Sequence, residues 1–156
     1  MRTINLPLDN VGGLSDIYLI CTDNILRYYR DYLGVDMTLK SYEDYIVLPY
    51  RADDTYVFTE KMTIEEAGPT FEVIIEGVIP TSLEDNDTII REIISKQWLA
   101  VTKDNNGEMK LVGSKEVPLS FSFDYTTGKK GERNGLSFSV SSKQSHRSFP
   151  WKGLLL

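Results

Sequence analysis

Leu119-Ser120-Phe121-Ser122-Phe123-Asp124-Tyr125 and Leu136-Ser137-Phe138-Ser139-Val140-Ser141 alternate apolar and polar side chains with a period of two. A strand sends successive side chains to opposite faces. The pattern therefore specifies two half-buried strands, with Leu119, Phe121, Phe123 and Tyr125 inward on one and Leu136, Phe138 and Val140 inward on the other. Thr127-Gly128 opens the loop between them and Asn134-Gly135 closes it, with Lys129-Lys130-Gly131-Glu132-Arg133 in between. Two such strands joined by a turn-rich loop predict antiparallel pairing.

Working outward, Thr70 to Ile79 predicts another strand, with Phe71, Val73 and Ile75 on one face and Glu72, Ile74, Glu76 and Val78 on the other. Thr55 to Ile64 alternates in the same way, and Gly68-Pro69 marks the turn between these runs. Leu14 to Thr22 reads as the first strand and Tyr45 to Tyr50 as another, ended by Pro49. Trp98 to Thr102 and Met109 to Val112 form a hairpin about Asn106-Gly107, a pair favoured where both central residues need positive φ. Ile25 to Leu33 is ambiguous. Ile25, Leu26, Tyr29 and Leu33 have helical spacing with Gly34 as a stop, while the tyrosines also suit a strand.

One helix is expected. Pro80 stops the strand before it, and Thr81-Ser82-Leu83-Glu84 is a capping-box sequence. Glu84, Asp85 and Asp87 suit the positive helix start. Ile89, Ile90, Ile93, Ile94 and Trp98 line one face, which should lie down on a sheet. The fold class expected is α+β, mostly β: an antiparallel β-sandwich or small barrel flanked by one main α-helix. One domain spans residues 1–156, with an extended N-terminal region, a loop near 126–133 and a C-terminal tail over 142–156.

Composition narrows the function. Seventeen Lys and Arg against 23 Asp and Glu give a charge of −6, which disfavours general nucleic-acid binding. The densest basic cluster is Lys129, Lys130 and Arg133, followed by Lys143, Arg147 and Lys152, and it reads as a solvated loop and tail. No apolar run approaches a membrane span, and Met1 to Asn5 lacks a secretory pattern, so a soluble protein made in a cytoplasm is expected. A single cysteine, Cys21, and a single histidine, His146, exclude Cys/His zinc sites and disulfides within the chain. Cys21 lies in an apolar run without an activating base and reads as a small core hydrophobe.

Chemistry finds little purchase. Asp104-Asn105-Asn106-Gly107 resembles part of a calcium loop, but with Gly107 sixth the twelfth position is Gly113, where an acidic ligand is needed. Glu72 and Glu76 lie roughly 13 Å apart along a strand, too far for a glycosidase carboxyl pair. His146 between Ser145 and Ser148 lacks the partners of a triad. No glycine-rich phosphate loop follows a strand and opens a helix. Neither a catalytic residue, a cofactor nor a metal ligand is assigned. The tyrosines Tyr28, Tyr29 and Tyr32 suit packing or an interface more than a ligand platform. Leu154-Leu155-Leu156 would forgo about 1.5–3 kcal/mol of burial each if exposed, and so should dock on this chain or a neighbour.

Four features recur in order: Gly12-Gly13-Leu14-Ser15-Asp16-Ile17-Tyr18-Leu19; Glu72 to Pro80 with its helix; Trp98 to Gly113; and Leu119 to Gly135 with Tyr125-Thr126-Thr127-Gly128 and Arg133-Asn134-Gly135. This order resembles small structural proteins of tailed bacteriophages and prophages, in particular those of Bacteroides-type hosts, and looks most like a tail-tube or minor tail protein. The resemblance covers residues 10 to 142, and Val35 to Thr70 matches nothing placed. It implies a virion protein of the tail, made in the bacterial host cytoplasm and working with copies of itself in stacked hexameric rings and with other phage structural proteins. It implies no membrane, no specific nucleic-acid binding and no enzymatic activity. The candidate assembly residues are Tyr28, Tyr29, Tyr32, Lys129, Lys130, Arg133, Phe149, Trp151, Leu154, Leu155 and Leu156, with Glu72 and Glu76 facing a lumen. Alternatives are a head–tail connector, a tail terminator or baseplate component, and a carbohydrate-binding or adhesion module using the tyrosines and Trp151. A hydrolase using surface carboxylates is least favoured.

Overall fold

The strands that hold the unbroken apolar runs Ile17 to Cys21 and Trp98 to Val101 form the middle of the protein. β1 (Leu14–Cys21) and β7 (Trp98–Asp104) pair antiparallel at the centre of a five-stranded sheet. β4 (Tyr45–Pro49), β8 (Met109–Val112) and β11 (Phe149–Pro150) complete it in the order β11-β8-β7-β1-β4. A computed structural model describes residues 12–49, 56–80, 84–126 and 135–153.

The alternating runs form the second layer. β5 (Val57–Glu65), β6 (Gly68–Pro80), β9 (Ser120–Thr126) and β10 (Gly135–Gln144) make an antiparallel sheet of order β5-β6-β10-β9. A third layer is the hairpin of β2 (Ile25–Asp31) and β3 (Gly34–Leu39). Each layer buries one side of the central pair. Ile17, Leu19 and Cys21 of β1 and Trp98 and Ala100 of β7 meet Val73, Ile75, Phe138 and Val140 of the second sheet. Ile20, Leu99 and Val101 point the other way, into a core shared with Ile25, Val35, Met37 and Leu39 of the hairpin. A strand covered on both faces buries successive residues, so β7 is buried from Trp98 to Thr102, apolar up to Val101. The mostly-β sandwich with one helix, α1 (Glu84–Ser95), is the architecture expected.

Several expectations are corrected in detail. Ile25 to Asp31 is a strand, not a helix: its residues pair with β3 from Ile25↔Leu39 to Asp31↔Gly34. The turn between β5 and β6 sits at Glu66-Ala67, and Gly68 and Pro69 already belong to β6 because they pair with Glu65 and Ile64. The turn after β7 is not a two-residue one. Only Gly107 has positive φ, Gly107 N donates to Asp104 O at 3.0 Å, and Asp104 N donates to Glu108 O at 2.9 Å. That is the three-residue loop with glycine in the left-handed position. On α1, Ile93 is buried but Ile94 is 66% exposed. The isoleucine face therefore does not lie down as a whole; Trp98 Nε1 donates to the Ile93 carbonyl at 2.9 Å and draws in that one turn. Tyr125, expected inward, is exposed. Residues 142–153 are no free tail, since they complete β10 and form β11. The capping residues Thr81 to Leu83, the loop beyond Thr126 and residues 1–11 lie outside the described residues.

The bend from β1 to β2 is held by a buried amide. Asn24 Nδ2 donates to the carbonyls of Ser41 (2.7 Å) and Asp44 (3.0 Å), and its Oδ1 accepts from Ser41 N at 2.9 Å. Lys40 N adds a bond to the Asn24 carbonyl at 2.8 Å. One side chain thus fastens the start of β2 to the β3–β4 connection. Asn24→Ala is expected to lower stability by about 1–3 kcal/mol, since buried partners lose their bonds. The shift in urea midpoint at constant slope measures it, and an unchanged midpoint would contradict this role.

Candidate functional site

The third layer carries the surface singled out by sequence. On β2 the alternation turns Tyr28 and Arg30 toward the core side, opposite Met37 and Val35, while Tyr29 pairs with Asp36 on the outer side. Tyr28 is part-covered, and burial raises its hydroxyl pKa; Arg30 opposes that shift and Glu116 adds to it. Tyr29, Leu26 and Leu33 are exposed, and Tyr32 at the tip is 94% exposed.

This tip is nonetheless fixed. Asp31 Oδ1 accepts from Leu33 N at 2.7 Å and Gly34 N at 3.0 Å, closing the turn around Tyr32. Lys152 Nζ reaches the same carboxylate at 3.0 and 3.3 Å. The Lys152 ammonium, then the two backbone N–H groups, hold the Asp31 carboxyl below the usual carboxylate range.

Lys152 belongs to a strap that spans all three layers. The chain leaves β10, and Arg147 Nε donates to Glu60 Oε1 at 2.9 Å while Ser148 N donates to Glu60 Oε2 at 2.7 Å. It then pairs with β8, where Trp151 N donates to Met109 O at 2.9 Å, and bridges to the hairpin, where Lys152 N donates to Val35 O at 2.8 Å. Phe149 lies between the His146 ring, 4.6 Å away, and the Arg30 guanidinium, 4.9 Å away. Trp151 is 8% exposed in the core beneath the hairpin. A Cβ on Gly34 would run into the Pro150 carbonyl, so the strap's close approach requires glycine there.

The predicted surface set is thus divided. Tyr28, Tyr29 and Tyr32 lie together on β2 and its tip, whereas Phe149 and Trp151 serve this chain's own packing. Lys129, Lys130, Arg133, Leu154, Leu155 and Leu156 lie outside the described residues. Glu72 and Glu76 are exposed on the outer face of the second sheet. Glu72 sits in register between Lys61 and Lys143, while Glu76 sits between Val57 and Ser139.

The positions weighed for chemistry have ordinary roles. Cys21 is buried in the sandwich core. Asp104 Oδ1 accepts from Asn106 N at 2.9 Å and Glu108 N at 2.8 Å, so this carboxylate closes its own turn. His146 Nδ1 lies 3.0 Å from the Arg147 carbonyl. A recess of about 180 Å³ beside that turn is lined by Phe58, Thr102, Asp104, Glu108 and Lys110, among others. Among the described residues, no group of three or more His, Cys, Asp or Glu could hold a metal ion, and no helix is long and apolar enough to cross a membrane.

Sequence reasoning missed the far end of the β5–β6 ribbon. β10 pairs with β6 only as far as Gln144↔Phe71, so beyond that point the ribbon has two strands. Met62, in the last row that β10 reaches, is exposed, and Ile64 beyond it is 78% exposed. The signal was the strict alternation of Lys61-Met62-Thr63-Ile64-Glu65, which marks a strand without saying whether its apolar half is covered. No protein-family model, curated protein or solved structure matches the chain.

The strap's anchor on the second sheet is acid-sensitive. Burial pushes the Glu60 carboxyl up, but the bonds from Arg147 and Ser148 outweigh it and its pKa is lowered overall. A lowered folded pKa contributes stability that is complete above the unfolded carboxylate pKa, about 4.3, and is lost as pH falls through the folded value. Asp31, also lowered, acts with the same sign. Denaturation at pH 7 and pH 3 should show a stability loss that shrinks in Glu60→Gln; an equal loss in both proteins would refute the assignment.

Proposed function

We propose that this protein is a structural subunit that works by binding copies of itself, as a tail component of a phage or prophage particle. The observation that carries the reading is the β2–β3 tip. Leu26, Tyr29, Tyr32 and Leu33 stand in solvent on a hairpin pinned from behind by Lys152 and Asp31. Large apolar side chains held out on a fixed frame lose little conformational freedom on docking, which favours an interface. The resemblance to phage structural proteins supports the same reading. So do β5 and β9, the edges of the second sheet, which pair with no further strand among the described residues and which a solitary protein would be expected to blunt. A ring of copies with that sheet's polar face inward would present Glu76 and Asp124 among serines to the bore, with Glu72 partly offset by Lys61 and Lys143. With the net charge of −6, such a wall would repel passing DNA. Connector, terminator and baseplate roles use the same contacts and differ in whether rings stack.

A carbohydrate-binding module is the less favoured reading, because Trp151 lies in the core beneath the hairpin instead of beside the tyrosines. Sedimentation across concentrations, with electron microscopy at the highest, tests self-assembly. The protein is expected to form rings or stacks. Tyr29→Asp with Tyr32→Asp is expected to weaken assembly at least tenfold, with circular dichroism unchanged. A wild-type protein that stays monomeric when concentrated, or a double variant that assembles equally well, would overturn this reading.

A further inference from the structure

The exposed end of β5 carries a more specific message than its apolarity. Among the described residues no strand pairs with its outer edge, and Lys61 to Glu65 are all exposed. We infer that this edge pairs antiparallel with the same edge of a second copy, about a two-fold axis at Thr63. The inference rests on the self-association reading above and names one of its contacts.

The argument is one of register. In an antiparallel pair related by a two-fold axis perpendicular to the sheet, directly opposed residues lie on the same face with Cβ atoms about 4.5–5.5 Å apart. Centred on Thr63, Lys61 of each copy opposes Glu65 of the other, and Met62 opposes Ile64. Both unlike charges meet twice, both apolar pairs meet twice, and threonine meets threonine. Centred on Lys61, two ammonium groups would oppose each other and Ile64 would face Phe58. Centred on Met62, Ile64 would face Glu60, whose carboxylate already holds Arg147 and Ser148. Centred on Ile64, Met62 would face Glu66. Only the Thr63 register satisfies both faces of the strand, and register is what edge pairing must specify.

The folded chain already prepares the pair. Lys143 Nζ bonds Glu65 Oε1 at 2.6 Å and Thr70 Oγ1 lies 3.4 Å from it, so this carboxylate is positioned on the β6 side while its outer side stays open. Met62 and Ile64, with Phe71 and Pro69 across the ribbon, would close over their symmetry mates. A two-stranded ribbon is marginal in water, and pairing makes it one half of a four-stranded sheet with the two β5 strands in the middle. The contact joins two copies and stops there, so it adds to a ring contact instead of making one.

Charge exchange tests it. Lys61→Glu alone and Glu65→Lys alone each place like charges opposite one another at two symmetric points, and each is expected to weaken pairing about tenfold or more. The Lys61→Glu/Glu65→Lys protein should pair again, and a 1:1 mixture of the two single variants should pair where neither does alone. Thr63→Cys should cross-link to itself under mild oxidation, while Ile64→Cys should not. Mass by sedimentation and cross-linking on gels read these outcomes, with circular dichroism as the folding check. If wild type self-associates but the single variants do so equally and Thr63→Cys fails to cross-link, this contact is wrong and the broader reading stands. If wild type is monomeric throughout, both fall.

Discussion

The structure depends on one sheet being covered on both faces. β1 and β7 bury side chains alternately toward the second sheet and toward the β2–β3 hairpin, so no polar side chain can be accommodated along most of their length without a partner. Thr102, the buried polar residue of β7, has its hydroxyl 3.4 Å from the Lys110 carbonyl. Ser15, the extra residue where the β1–β7 register shifts, lies within 3.2 Å of the Lys103 carbonyl, and that bulge returns Leu14 to the sandwich side. With the centre fixed as apolar, everything with chemical variety falls to the outer layers and the edges.

That division explains what the residues disclosed by themselves. A strand with one dry and one wet face writes its orientation as alternation, and Leu136, Phe138 and Val140 are buried as that alternation says. β1 and β7, with two dry faces, read as strands but not as a middle layer, because an apolar run does not say what lies on either side. The hairpin was obscured by coincidence: Ile25, Leu26, Tyr29 and Leu33 fit a helical stripe, yet Leu26 lies at a register shift and Leu33 in a turn. Ile94 and Tyr125 continue local periods that the layers above them do not cover. The tyrosine half of the candidate surface was visible as composition. The Phe149 and Trp151 half was misread, because only tertiary placement shows that a chain segment rich in Lys, Ser and aromatics is a brace.

The same layering bears on the proposed self-association. The hairpin tip and the β5 end lie on opposite outer layers, separated by the middle sheet. Contacts made at one need not disturb the other, so the energies of two docking events should be nearly additive. Under the proposed reading the tip would serve contacts within an assembly while the two-fold β5 contact would join copies in pairs.

The brace also imposes an order in time. Lys152 and Asp31 are 121 residues apart in sequence, and Trp151 is the partner that fills the core beneath the hairpin. During synthesis the tyrosine tip emerges more than a hundred residues before the segment that supports it from behind, since Lys152 lies 121 residues after Asp31. A nascent chain that has not yet reached Trp151 and Lys152 therefore presents the tip without its brace, and under the proposed self-association docking would wait for that segment.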